Sequence, residues 1–225
     1  MTFAVWFALA AEAALFAALM FGAAGTIAWP AGWVFLALFW GCALAVTLDV
    51  ARRDPALLRE RMKPPVQSGQ PVLDRVFLAV VGVGFFAWLA LMGLDAVRFR
   101  WSMVPMFVQA LGAVGEVVAF AIIGRVFREN TFLAPVVRVQ EERGQTVVST
   151  GPYAVVRHPM YAGALILFLA TPLLLGSWWG LAAAVALTAA MSLRIPLEER
   201  ELRRSLPGYA EYALRVRYRL LPGVW

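Results

Sequence analysis

One cysteine, Cys42, and one histidine, His158, stand in 225 residues. A lone cysteine excludes an intramolecular disulfide and any cysteine-cluster metal site, and a single histidine adds too little to make a zinc ligand set, so no metal is expected. No G-x-G-x-x-G follows a strand-like stretch, and strand-like and helix-like segments do not alternate, which argues against a Rossmann-type nucleotide fold. Charge is sparse as well, at 15% Asp, Glu, Lys and Arg. In its place hydrophobic residues reach 62%, with a mean hydropathy of +0.74, against roughly 45–50% apolar residues in ordinary soluble domains. That composition is the composition of an integral membrane protein.

A hydrocarbon core of about 30 Å needs about 20 helical residues at a rise of about 1.5 Å each. Apolar runs of that length lie near 3–21, 31–50, 76–94 and 103–124. The run 160–193 is interrupted by "GSWWG" at 176–180, which predicts two short, tightly turned helices in place of one very long one. The expected fold is therefore all-α and polytopic, with about six transmembrane helices including a short C-terminal hairpin, followed by further helices at the membrane surface. Of the 20 basic residues, all but Arg98 and Arg100 fall in 51–75, 125–158 or 194–219. If those three regions share one side, the positive-inside tendency makes it the cytoplasm and places both termini there, as in a bacterial inner membrane. The first run lacks a basic leader and is read as a retained span. The net charge of +6 then belongs to membrane topology, and no nucleic-acid partner is expected. Trp29, Trp33, Trp101, Trp178 and Trp179 fall at predicted helix ends, where amphipathic rings favour the interface.

Residues 1–124 are nearly all span and turn and read as a transmembrane scaffold of four helices. The clustered polar residues, Gly-Pro turns and glutamate pairs lie in 125–225, the expected catalytic region, on either side of the hairpin 160–193. "QTVV" at 145–148 is β-branched and leads into the turn signal "STGPY". Then "RHP" opens the fifth span, with Pro159 near the first helical turn and His158 at a helix mouth, where unpaired N–H groups suit an anion. After the hairpin, Arg194 and Glu198 are four apart and share one helix face, with Pro196 between them. "LPGY" at 206–209 ends that helix, and "AEYALRVRYR" reads as a basic amphipathic piece suited to lipid headgroups. Taken singly, each residue has a plainer reading: Arg157 and Arg194 as interface anchors, Glu198 and Glu199 as acids at a helix start, Tyr153 and Tyr161 as belt aromatics. Glu12 and Glu116 lie at membrane depth, where an ionisable group needs a partner, a wet cavity or a proton.

The ordered set "TGPYAVVRHPMYAG" at 150–163, an apolar hairpin, "RIPLEEREL" at 194–202 and "GYAEY" at 208–212 resembles the isoprenylcysteine carboxyl methyltransferase family. The related phospholipid N-methyltransferases share much of this C-terminal pattern. The resemblance covers roughly 135–225 and implies a membrane enzyme that uses S-adenosylmethionine. It implies that Gln145, Thr146, Val147, Val148, Tyr153, His158, Pro159, Met160 and Tyr161 line the cofactor site. Glu198 would hold the cofactor's ammonium, Arg194 would position the acceptor carboxylate, and Arg138 falls near a further cofactor contact. The implied acceptor is lipophilic and enters from the bilayer, a carboxylate such as an isoprenyl-thioether acid or, alternatively, a lipid amine. Two readings of other classes stand beside these: an NADPH-dependent membrane reductase, and a scaffold without catalysis.

Overall fold

The computed structural model describes residues 3–63, 72–133, 140 and 143–225, and among these the chain forms helices and no strand. Helices α1 (Phe3–Ala24) and α2 (Pro30–Arg53) form the first antiparallel pair, and the short α3 (Pro55–Arg61) follows directly. Helix α4 (Val72–Gly93) runs into a π-helical turn at Leu94–Arg98, and α5 (Met106–Glu129) returns. The hairpin is α6 (Pro159–Leu175) and α7 (Trp178–Ser192), and α8 (Ile195–Ser205) and α9 (Tyr209–Arg215) complete the chain. Among the described residues five helical stretches are long and apolar enough to cross a membrane, while α6 is apolar but shorter. This is an integral membrane architecture. Helices α2, α3 and α6 each begin with proline, which is tolerated there because the first N–H of a helix has no intrahelical partner.

The hairpin turn explains "GSWWG". Gly176 closes α6 with φ 83°, a left-handed conformation that glycine adopts without a Cβ penalty. Ser177 then caps α7, its Oγ accepting from the Gly180 N–H at 2.7 Å. Asp95, fully buried on the π turn, ties this tip to α4: its Oδ2 accepts from Ser177 Oγ at 2.5 Å and from Ser102 Oγ at 2.7 Å.

One apolar core, built on Phe16, Met20, Phe35, Trp88, Met92 and Leu175, joins α1, α2, α4, α6 and α7. Trp29 belongs to it at 6% exposure and packs edge-on against Phe21. It is therefore not a belt residue, unlike Trp33, Trp101, Trp178 and Trp179, which are exposed. Helix α5 packs most extensively against α6, through small residues that let the backbones approach. A Cβ on Gly112 would lie 2.4 Å from the Leu174 nitrogen, and one on Gly163 would lie 2.9 Å from Ile123. Glu116 is buried in this seam with its Oε1 accepting from Thr171 Oγ1 at 2.8 Å, polar glue between two spans. Glu12 is exposed on α1.

A second core gathers Val126, Tyr153, Leu206, Tyr209, Tyr212, Ala213 and Val216 at the end of the molecule that carries most of the arginines. Here α9 departs from the reading of "AEYALRVRYR" as a surface piece. Tyr209, Tyr212 and Ala213 are buried, because a seven-residue helix with two aromatic residues on one side gains more by covering Tyr153 and α5 than by facing headgroups.

Candidate active site

The mouth of α6 is held by an ion cluster. His158 precedes the helix as its N-cap residue and Pro159 begins it. Arg157 is turned back toward α8, with Nε 2.6 Å from Glu199 Oε1, and the buried His158 places Nε2 3.3 Å from the same oxygen. Arg219 Nε approaches Glu199 Oε2 at 3.2 Å. The Arg157 guanidinium also donates from Nη1 to the Val216 and Arg217 carbonyls at 2.7 and 2.8 Å. The Arg157 and His158 N–H groups donate to the Tyr218 and Arg219 carbonyls, each at 2.9 Å. Glu199 is 3% exposed, so this carboxylate must remain charged to balance the cations around it. It joins three chain segments at the base of the site.

Glu198, one residue earlier, has a different environment. It is half-buried, and its Oε2 accepts from Tyr161 Oη at 3.0 Å. Arg194 approaches the same tyrosine hydroxyl from the preceding turn, and the Glu198 N–H donates to the Arg194 carbonyl at 3.0 Å, which closes the first turn of α8 with Arg194 as its N-cap and Pro196 inside that turn. The Tyr161 ring stands edge-on to His158, with centroids 5.7 Å apart.

These groups face a cavity of about 370 Å³, within the size range of small-molecule sites. Gln145, Thr146, Val147 and Val148 line it as non-helical chain, so their β-branched character makes no strand. Tyr153, His158, Pro159, Met160 and Tyr161 form another wall, and Arg194 and Glu198 a third. The fold thus brings all eleven of these residues to one cavity. Arg138 lies outside the described residues.

The sequence did not single out several other residues that line the cavity: Arg61, Asn130, Phe132, Leu133, Glu201 and Tyr209. Asn130 had a signal, a polar residue ending a long apolar helix, and its Nδ2 donates to Tyr153 Oη at 2.8 Å. Phe132 is placed by Gln140, whose Nε2 donates to the Phe132 carbonyl at 2.6 Å while its N–H donates to Gln145 Oε1 at 2.8 Å. Burial pushes the phenols of Tyr153 and Tyr209 upward, and that of Tyr212 up to about 12. All three stay protonated near neutrality, and Tyr212 Oη donates to the Tyr153 carbonyl at 2.8 Å.

Residues 103–207 match the family model of phospholipid methyltransferase, a family that includes the isoprenylcysteine carboxyl methyltransferases. The matched stretch runs from the start of α5 through α8 and holds most of the cavity walls. Comparison with curated proteins returns no match. The match over residues 103–207 indicates a methyltransferase, and enzymes of the matched family use S-adenosylmethionine as methyl donor.

Proposed function

With a membrane methyltransferase domain as the premise, we propose that the cavity binds S-adenosylmethionine from the cytoplasm and passes its methyl group to a lipophilic carboxylate entering from the bilayer. The observation that carries this reading is the Arg194–Tyr161–Glu198 constellation on one wall of the cavity. The residues present fit the cofactor. The Glu198 carboxylate is oriented by Tyr161 and suits an ammonium, Asn130 and Gln145 offer amides, and Tyr153 and Phe132 offer aromatic faces to a purine. Cytoplasmic access follows from the clustering of arginines at this end.

When bound, S-adenosylmethionine supplies a methyl group on a positively charged sulfur, which is transferred by in-line displacement. Positioning is then most of what the chain must do. Arg194 orients the acceptor carboxylate, which is already a nucleophile and requires no general base. Met160, Leu202 and Leu206 keep water from the reacting atoms. The ion cluster on Glu199 holds the α6 mouth in place. A lipid amine is the second reading, favoured by the phospholipid methyltransferase match and by Glu201, a further carboxylate in the cavity wall able to take the proton an amine must lose.

Purified protein incubated with methyl-labelled S-adenosylmethionine and either an isoprenyl-thioether acid or phosphatidylethanolamine separates the two. Base-labile label in the acid identifies a methyl ester, and base-stable label in the lipid identifies N-methylation. Calorimetry completes the test: S-adenosylhomocysteine is expected to bind and NADPH not. Binding of NADPH alone would favour a reductase, and binding of neither a scaffold.

A further inference from the structure

Among the described residues lining the cavity, one comes from the first 129: Arg61, the last residue of α3. Helix α3 is not a loose excursion. Asp54 caps it, Oδ1 accepting from the Leu57 N–H at 2.9 Å, and Leu57 is fully buried. The other Asp54 oxygen accepts from Thr131 Oγ1, and Arg143 Nη2 donates to the same hydroxyl at 3.2 Å while its Nη1 donates to Gln140 Oε1 at 2.6 Å. Gln140 in turn holds Phe132 and Gln145 in the cavity wall. Arg61 is therefore fixed to the same framework as the site, although 77 residues of sequence separate Asp54 from Thr131.

The cations around the cavity are not equivalent. Arg157 and His158 are committed to Glu199, and Arg194 faces Tyr161. The Arg61 guanidinium lies over the Phe127 ring, 5.4 Å from its centroid, and among the described residues it makes no ion pair, the neighbouring Glu60 pairing with Lys63 at 2.5 Å. Arg61 is exposed on α3, which leaves its guanidinium accessible to an anion. It sits eight residues beyond Arg53, where the second span ends, at the depth of lipid headgroups. A planar guanidinium there, stacked over an aromatic ring and lining the cavity, is suited to phosphate or carboxylate oxygens.

We propose that Arg61 is a second acceptor-binding residue, beside Arg194, and holds an anionic headgroup oxygen of the lipid to be methylated. The inference rests on the methyltransferase reading of the cavity. It gives the N-terminal half a specificity role, since a lipid without an anionic group at that depth loses this contact while the cofactor keeps all of its own.

The test measures binding of acyl-labelled phosphatidylethanolamine and of a labelled isoprenyl-thioether acid, each in mixed micelles, to wild type, Arg61→Ala and Arg61→Lys, with S-adenosylhomocysteine affinity measured in parallel. Arg61→Ala is expected to weaken at least one lipid tenfold or more, with Arg61→Lys intermediate, and to leave S-adenosylhomocysteine affinity within twofold of wild type. The lipid that responds identifies the anion as phosphate or carboxylate. Equal lipid affinity in wild type and Arg61→Ala overturns the proposal, as does absence of lipid binding to wild type. A selective loss of S-adenosylhomocysteine affinity also overturns it, by moving Arg61 to the cofactor. Failure of wild type to bind S-adenosylhomocysteine overturns the cavity reading itself, a distinct outcome.

Discussion

Glu198 and Glu199 are consecutive residues of α8 with separate surroundings, since successive helical positions point about 100° apart. Glu199 faces inward to Arg157, His158 and Arg219, and Glu198 faces the cavity and Tyr161. Substituting them should separate stability from binding. Glu199→Ala leaves the buried Arg157 without its carboxylate and is expected to cost about 3–5 kcal/mol, read as a lower unfolding temperature of the detergent-solubilised protein. Glu198→Gln removes charge from a half-buried position and should leave the unfolding temperature nearly unchanged. It is expected to weaken S-adenosylhomocysteine binding by about 1.5–3 kcal/mol, the range of hydrogen bonds to charged groups. Equal loss of stability in the two variants would remove the distinction between them.

The α5–α6 seam is the element-scale counterpart, because two spans without a hydrophobic drive between them associate through close backbone packing. A methyl group at Gly112 would meet the backbone of Leu174 and the Ala170 carbonyl, 2.8 Å away, so Gly112→Ala must push the helices apart, at about 1–3 kcal/mol for an overpacked site. Gly41, on α2, has nothing within 4 Å of such a methyl, and Gly41→Ala should stabilise by about 0.5–1 kcal/mol through helix propensity. Opposite signs for the two substitutions in thermal unfolding are the expected result; like signs would mean that the seam is not tight. Elements of this kind were largely legible in advance. Apolar run length gave the spans, and Gly176 with Ser177 gave the hairpin turn. Residues drawn from 145–161 and 194–198 were named on motifs that also fold next to one another. Arg61 and the inward turn of Glu199 were not legible. Their partners are brought by tertiary hydrogen bonds from Thr131 to Asp54 and from residues 157 and 158 to residues 199 and 216–219, and no local periodicity records such pairings. Trp29 and α9 were misplaced for a related reason: amphipathic sequence marks a face without saying whether protein or lipid covers it.

At the scale of the whole molecule, polar residues collect at both ends of an apolar body. One end holds the cavity and its ion cluster, and the other holds Asp95 with Ser102 and Ser177. Helix α7 separates them with 15 residues, about 22 Å at the helical rise. Sites so far apart that share no partner contribute additively to stability. Asp95→Ala is therefore expected to lower the unfolding temperature, because two buried hydroxyls lose their acceptor. S-adenosylhomocysteine at 100 times its dissociation constant should add about 2.7 kcal/mol to wild type by mass action, and the same increment to Asp95→Ala. Thermal unfolding with and without the ligand measures both quantities. A ligand increment that vanishes in Asp95→Ala would mean that the distant knot shapes the cavity through α6 and α7. An unchanged increment identifies the knot as a fastener of the hairpin tip and leaves ligand binding to the residues of the arginine-rich end.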